Sequence, residues 1–292
     1  MGNRWSAVRD PVILCEASAQ VHAVVVGLAW EVSRSLLMKR KLTENLKRVE
    51  QRIADACHCA GRDPSSVTLV AITKYVSLDV IRTLVDMGVQ HLGESRVQEL
   101  TKRAAMVNEW LGRRARDLAA GAKPRPHWHM VGHLQRNKAK AVLPWVDIIH
   151  SVDSLRLAEE IDAQSAKLGR KLPILLQVNT SGETSKYGVA VAAATHLAEQ
   201  INSLTHIELR GMMAMAPLTD DETAIRQAFS RARELADEII GERICGPQFC
   251  ELSLGMSNDF EYAIEFGATY VRIGSALFEG IELAAKSART EP

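Results

Sequence analysis

Eight short apolar runs alternate with stretches of helical periodicity along this chain of 292 residues. Apolar runs of this kind, rich in β-branched residues, are typical of the buried strands of parallel sheets. In chain order they cover residues 67–73, 89–92, 127–131, 146–150, 173–178, 207–213, 250–254 and 269–273. The alternation predicts an α/β protein with a single parallel (β/α)8 TIM-type barrel. The alternative, an open doubly wound sheet, commonly has a glycine-rich turn after its first strand, and Thr73-Lys74-Tyr75-Val76 has no glycine.

An amphipathic helix is expected before the first strand. Leu42, Leu46, Val49 and Ile53 follow one another at spacings of four, three and four, which predicts a helix beginning at Met38. Between the strands we expect helices at Ser77–Met87, Ser95–Arg114, Ser154–Leu168, Val189–Ser203 and Asp221–Ile240. We therefore place the barrel domain at residues 38–292, a length close to the roughly 250 residues of one such barrel.

Residues 1–37 are interpreted as an N-terminal extension without an assigned role. This segment is either a loosely attached extension or a translated stretch upstream of the true start. A targeting peptide is the third interpretation, because the apolar piece 21–30 has the length of a signal core. Asp10 and Glu16 before that piece, and the absence of a clear small-residue cleavage site after it, argue against a signal peptide.

Charge and cysteine content exclude several classes of protein. Lysine and arginine number 36 against 35 acidic residues, so strong nucleic-acid binding through bulk charge is not expected. No apolar run approaches the 18 or more residues of a membrane span. Five cysteines in a chain of this size do not form a disulfide framework, and Cys57-His58-Cys59 lacks a well-spaced second ligand pair for zinc. We expect a cytoplasmic protein with reduced thiols and no metal.

Lys74 is the sharpest candidate for chemistry, because it ends an apolar first strand. In a barrel of this type, side chains that follow the strands converge at one mouth. Burial there would lower the pKa of the lysine, and a neutral amine can form a Schiff base with an aldehyde. The alternative is a lysine that reaches past the strand end into solvent.

The loops after the seventh and eighth strands suggest a phosphate site. Gly255 allows a tight turn, and Ser257 or Asn258 is expected to cap the next helix. Gly274 permits close backbone approach beside the Ser275 hydroxyl. In barrels these two loops frequently hold a phosphate group. A lysine nucleophile facing a phosphate cradle fits pyridoxal 5′-phosphate (PLP).

Arg272, on the eighth strand, would limit the chemistry of such a cofactor. A guanidinium can only donate hydrogen bonds, so a pyridine nitrogen facing it stays unprotonated. The ring is then a weak electron sink, which argues against aminotransferase chemistry. The alternative is an arginine that faces the protein surface.

Several motifs in order resemble one known family. They are Leu69-Val70-Ala71-Ile72-Thr73-Lys74, Gly93-Glu94, Val97-Gln98-Glu99, Trp128–Lys138, Val178–Glu183, Ser185-Lys186, Leu252–Ser257, Asp259-Phe260 and Val271–Ser275. Over residues 40–281 the chain resembles the pyridoxal phosphate homeostasis proteins, a single-barrel group related to the N-terminal domain of alanine racemase.

The resemblance implies a role for each candidate site residue. Lys74 would carry the Schiff base, and Arg272 would face the pyridine nitrogen. Ser257, Gly274 and Ser275 would lie at the phosphate, with Met256 beside them, and His133 and Asn179 would line the pocket. Two positions depart from the family, which commonly has asparagine where Ser95 stands and threonine where Ser275 stands.

The resemblance also implies a function in PLP homeostasis. The protein would hold PLP on Lys74 and buffer it or deliver it to apo PLP-dependent enzymes, without robust turnover. We expect a monomer, because a second domain that would build a shared site is not expected. Only residues 276–292 follow the eighth strand, too few for the second domain that supplies a catalytic tyrosine in the racemase.

Two alternatives from other classes of protein stay open. A weak racemase or a related lyase would need a second base besides Lys74, and Tyr187 or His133 are the candidates. An RNA-binding or anion-binding protein would use the basic residues around His133, which are Arg113, Arg114, Arg116, Lys123, Arg125, Arg136, Lys138 and Lys140.

Overall fold

The computed structural model describes residues 11–117, 124–183 and 186–281, with side chains except those of residues 11–32 and Asp117. Eight of its strands form the barrel: β1 Thr68–Ile72, β2 His91–Glu94, β3 His127–Met130, β4 Ile148–Val152, β5 Leu172–Asn179, β6 Ile207–Met213, β7 Glu251–Ser253 and β8 Tyr270–Ile273. All neighbouring pairs are parallel and follow chain order, and β8 pairs with β1. The sheet is therefore closed, which confirms the predicted (β/α)8 barrel. A further two-residue strand, Val189–Ala190, pairs with the end of β5.

The helices cover the outside of the barrel. They are α1 Pro11–Cys59, α2 Leu78–Asp86, α3 Val97–Asp117, α4 Ala139–Val142, α5 Leu155–Lys167, α6 Val191–Asn202, α7 Glu222–Gly241 and α8 Phe260–Glu265, with 3-10 turns at Pro64–Ser66 and Arg136–Lys138. The five helices expected between the strands are confirmed to within three residues at each end. The short helices α4 and α8 were not predicted, because four or six residues carry too little periodicity to recognise.

The predicted start of the first helix at Met38 is wrong. Helix α1 begins at Pro11 and passes Met38 without a break. The apolar periodicity marks where the helix packs on the barrel: Leu42 and Val49 are fully buried, whereas Leu36 and Leu37 are 64% and 68% exposed. Residues 1–10 of the N-terminal extension lie outside the described residues.

Apolar side chains pack in two places. The large cluster fills the layer between the strands and the surrounding helices, with Trp128, Phe229 and Phe260 as its bulkiest buried members. A small second cluster, Ile148, Leu175 and Met213, lies inside the barrel. Much of the barrel interior is instead polar, and this polar interior leads to the candidate site.

Two observations on the described part of the chain concern membrane-spanning helices and metal sites. None of its helices is long and apolar enough to cross a membrane. Within the same residues, no three His, Cys, Asp or Glu side chains are grouped as metal ligands would be. Cys57 is instead fully buried against the helical layer, and burial raises the pKa of its thiol.

Candidate functional site

Lys74 follows β1 at the C-terminal end of the barrel. Its backbone enters a turn in which the Val76 N–H donates to the Thr73 carbonyl at 3.1 Å. The side chain is exposed, and Nζ lies 5.1 Å from the centroid of the Tyr75 ring. The expectation that Lys74 is buried is therefore wrong, because the chain leaves the sheet before this residue.

A buried ion pair fixes the strand end that carries Lys74. Glu94, at the end of β2, is fully buried and accepts hydrogen bonds from Thr73 Oγ1 and Arg103 Nη1, both at 2.7 Å. Arg103 also donates to the Thr73 carbonyl. Burial raises the pKa of Glu94, and Arg103 opposes this by favouring the carboxylate. Sequence reasoning missed Arg103, although its position four residues after Glu99 on α3 was a signal for an ion pair on that helix.

Arg272 lies inside the barrel, 4% exposed. Nη1 donates to the Ser253 carbonyl and to Ser253 Oγ, both at 2.6 Å, and Nη2 donates to the Ala214 carbonyl at 3.0 Å. All three acceptors are neutral. Burial lowers the pKa of Arg272 to about 10, and Asp259 counteracts part of that effect, so the group is charged at neutral pH. The alternative of a surface arginine is excluded by this burial.

The loops after β7 and β8 meet at Ser257. Its Oγ accepts hydrogen bonds from the Gly274 N–H at 3.1 Å and the Ala276 N–H at 3.3 Å. The Ser257 hydroxyl hydrogen therefore points away from both amides. The Ser275 N–H makes no hydrogen bond to any described residue.

The predicted helix cap in this region is wrong. The N-cap of α8 is Asp259, not Ser257 or Asn258, and the Asp259 carboxylate accepts from the Met256 N–H. Gly255 is required for this turn, because its φ is +80° and a Cβ there would lie 2.7 Å from the Phe260 Cα. Ser257 is thereby left to bridge the two loops.

His133 lies at the mouth, in the loop after β3. Its ring stacks on Tyr187 with centroids 4.0 Å apart, and Nδ1 lies 3.5 Å from an Asp153 carboxylate oxygen. Both rings have exposed surface, so these titratable groups face the same entrance.

Asn179 and Ser95 contribute mainly to the architecture of the mouth. The Asn179 amide donates to the Glu183 carbonyl at 2.8 Å and accepts from the Gly182 N–H at 3.1 Å, which closes its own loop. A Cβ on Gly132 would lie 2.2 Å from the Ser95 carbonyl oxygen, so the loops after β2 and β3 touch at this glycine. The motif residue Ser185 lies outside the described residues.

A chain of three histidines leads from Arg272 into the barrel, and sequence reasoning missed it. His150 Nδ1 lies 2.8 Å from Ser253 Oγ, His150 Nε2 lies 2.9 Å from His129 Nδ1, and His129 Nε2 lies 2.9 Å from His91 Nδ1. The signal was available, because three successive predicted strands each contain a histidine. We refer to His91, His129 and His150 as the histidine chain.

Three of the eight basic residues proposed as an anion-binding surface are paired with carboxylates among the described residues. Arg113 pairs with Glu109, Arg114 with Asp86, and Arg125 with Asp147. Arg136, Lys138 and Lys140 are exposed, and Lys123 lies outside the described residues. Neighbouring carboxylates weaken the field that a phosphate backbone would require.

The closed barrel, with a lysine after β1 and an arginine inside β8, defines a protein of the alanine racemase N-terminal-domain class. The family model described as alanine racemase, N-terminal domain, matches residues 40–281. Alanine racemase from Clostridium difficile shares the fold at 14% identity and a TM-score of 0.62, where the match covers 82% of this chain and 56% of the racemase.

Within that class the chain belongs to the pyridoxal phosphate homeostasis protein family. It is 37% identical over 235 residues to the family member of Aquifex aeolicus, covering 80% of this chain and 96% of that protein. The Escherichia coli (strain K12) member is 36% identical, over 81% of this chain and 95% of its own length. The structure of PipY from Synechococcus elongatus, solved with PLP bound, matches at 34% identity and a TM-score of 0.63, over 77% of this chain and 99% of PipY.

Proposed function

We propose that this protein binds PLP through a Schiff base on Lys74 and serves intracellular PLP homeostasis by buffering or delivering the cofactor. The observation that carries the proposal is Arg272, a buried cation at the mouth of the barrel whose hydrogen-bond acceptors are all neutral. An anionic ligand in the same mouth balances that charge. The named relatives and the PLP complex of PipY support the same ligand.

The donors around the mouth fit the phosphate of PLP. The Ser257 hydroxyl hydrogen and the Ser275 N–H are both free to donate, and Gly274 has no side chain to obstruct the approach. A Cβ at Gly274 would meet only Ile72, at 3.6 Å, so protein packing alone does not demand glycine there. Hydrogen bonds from such donors to a phosphate are charge-assisted and therefore strong.

The remaining candidate residues orient the ring and admit the lysine. Lys74 would hold PLP through its amine, and the chemistry that PLP would supply there is that of an aldehyde. Arg272 would hold the pyridine nitrogen by donating a hydrogen bond to it, which would leave that nitrogen unprotonated. The Glu94–Arg103 pair holds the end of β1, so the flexible Lys74 side chain extends from a fixed point.

Turnover is the second candidate function, and the stack of His133 on Tyr187 is the observation that favours it. A racemase needs a proton donor or acceptor on each face of its substrate. Either ring could serve opposite Lys74. We propose that the protein is not a robust enzyme, and a racemisation assay with several L-amino acids decides this. A rate on the order of 1 s⁻¹ or more would establish an enzyme.

A borohydride trap tests the proposed binding. Purified protein mixed with PLP should show an absorbance band of bound cofactor, and reduction should fix the cofactor to the peptide that contains Lys74. Lys74→Ala should abolish both signals. The matched control is Lys167→Ala, which alters an exposed lysine at the end of α5 and should leave both unchanged. A Lys74→Ala protein that retained the band would refute the proposal.

The wider setting is part of the proposal. The protein acts in the cytoplasm as a monomer, and apo PLP-dependent enzymes are the recipients. Residues 38–292 form the binding domain, and residues 1–37 are an extension not needed for binding. Incubation of the PLP-loaded protein with an apo-enzyme, followed by recovery of that enzyme's activity, tests the delivery step.

A further inference from the structure

The histidine chain crosses the interior of the barrel. His150 on β4 reaches Ser253 on β7, and these strands are not neighbours in the sheet. His91 is the first residue of β2, whereas Ser253 is the last residue of β7. The chain therefore rises from the N-terminal end of the barrel to the guanidinium of Arg272.

The two inner histidines, His129 and His150, each use both of their ring nitrogens in the histidine chain. His129 and His150 are fully buried, and burial holds the pKa of each well below its usual value, so both are neutral. A neutral imidazole has one donor and one acceptor nitrogen. All hydrogen bonds along the chain must therefore point the same way, and only two arrangements exist.

Ser253 selects one of these arrangements at neutral pH. Its Oγ already accepts a hydrogen bond from Arg272, so its own hydrogen is free to donate to His150 Nδ1. It follows that His150 donates to His129, and His129 donates to His91. In the opposite arrangement Ser253 Oγ would accept from both Arg272 and His150, and its hydrogen would have no described acceptor.

Protonation of His91 reverses the direction of the hydrogen bonds in the histidine chain. Protonated His91 has two N–H groups and cannot accept from His129, so His129 and His150 must exchange tautomers. Both inner rings remain neutral, and the positive charge stays on the half-buried outer ring. The reversed His150 N–H then shares Ser253 Oγ as an acceptor with Arg272, and the Ser253 hydrogen loses its acceptor.

We infer that the histidine chain positions Arg272, and that it couples the charge on His91 to the guanidinium proposed to face the cofactor's pyridine nitrogen. The inference rests on the proposed function and adds a pH dependence to it. Acidification weakens the hydrogen bonding that positions Arg272, and it thereby weakens the binding of PLP.

Other titratable groups contact the histidine chain or Arg272, and the test must account for their titration. His127 stacks on His91 with centroids 5.1 Å apart, and Asp147 favours the charged form of His91. Tyr270 packs edge-on against His129 and His150 and shares a hydrogen bond with Glu251. At the far end Asp259 acts on Arg272. Burial lowers the pKa of His91, so the response is expected below pH 6.5.

The test compares His91→Gln with the parent protein across pH 8 to 5. The glutamine oxygen can accept from His129 but does not take up a proton. The PLP dissociation constant and the absorbance maximum of bound PLP are measured for both proteins at each pH. Because both proteins bind the same PLP, the comparison at one pH cancels the titration of PLP itself. Relative to His91→Gln, the parent protein should lose affinity by about fivefold or more at the acidic end. His129→Gln, which interrupts tautomer exchange, should flatten the response in the same way.

His127→Gln is the matched control, because it removes a histidine at the same end of the barrel that is not part of the chain. It should keep the parent's loss of affinity at acidic pH, with the response displaced toward higher pH because the charge of His127 lowers the pKa of His91. Superimposable profiles for the parent and His91→Gln, with PLP bound in both, would overturn the inference and leave the proposed function intact. Failure of the parent protein to bind PLP at any pH would overturn the proposed function, and the inference with it.

Discussion

Replacement of His129 by glutamine tests what burial of histidines inside the barrel does to stability. His129 and His150 are at most 1% exposed, and burial lowers the pKa of each far below the value of an unfolded histidine. Their contribution to stability is therefore fully present above the unfolded pKa, near 6.5. It is lost as the pH falls below that value, because only the unfolded state takes up the protons.

The magnitude follows from this difference in proton uptake. Each pH unit below the unfolded pKa costs about 1.4 kcal/mol for each histidine that remains neutral in the folded protein. From pH 7.5 to pH 5.0 this amounts to about 2 kcal/mol per histidine, or about 4 kcal/mol for the pair. His129→Gln removes one of the two groups, so the loss in free energy of unfolding between pH 7.5 and pH 5.0 should be smaller by about 2 kcal/mol.

Urea unfolding at pH 7.5, 6.5, 5.5 and 5.0 measures this loss. The comparison is between pH slopes, so any loss of packing in the variant at pH 7.5 does not enter. His196→Gln makes the same change at an exposed position on α6 and should keep the parent's slope. If His129→Gln and the parent lost the same free energy between pH 7.5 and 5.0, the reasoning from burial would be refuted.

Three other variants probe the site and its support. Ser257→Ala should weaken PLP binding by about tenfold in a titration, because it removes a donor to the phosphate and the acceptor for two loop amides; unchanged affinity would contradict the phosphate assignment. Arg103→Leu should lower the free energy of unfolding by about 3 kcal/mol, because it leaves the Glu94 charge buried and unpaired. Adding Glu94→Gln should restore part of that loss, and no recovery in the double variant would contradict the assignment of the loss to the Glu94 charge. A chain that begins at Met38 should bind PLP with the same stoichiometry and melt within about 2 °C of the full chain, because residues 33–37 are exposed; loss of binding would show that the extension contributes.

The strands were predictable because their signal is local. A buried parallel strand is apolar over its length, and β6 at Ile207–Met213 matches the predicted run residue for residue. The motif residues after β7 and β8 were also recognisable as a candidate phosphate site, since glycine and serine there are consistent with a loop that approaches a ligand. Helix α1 shows the limit, because an apolar stripe reports where a helix packs and not where it begins.

The histidine chain and the Glu94–Arg103 pair were not predictable from spacing. Their members lie on different strands and helices, and nothing local fixes which side chain meets which. Lys74 shows the same limit at the level of one residue, because its exposure depends on the point at which the chain leaves the sheet. Its position after an apolar strand suggested burial instead.

The sequence by itself determined the order of strands and helices, the closed α/β barrel, the family and the residues at the mouth, because hydrophobic periodicity and short motifs are properties of neighbouring residues. Only the tertiary structure decided that Arg272 is buried with neutral partners and that three histidines connect it to the other end of the barrel. The physical reason is closure of the sheet. It brings the inward-facing side chains of β4 and β7 within 2.8 Å although 103 positions separate them in the chain.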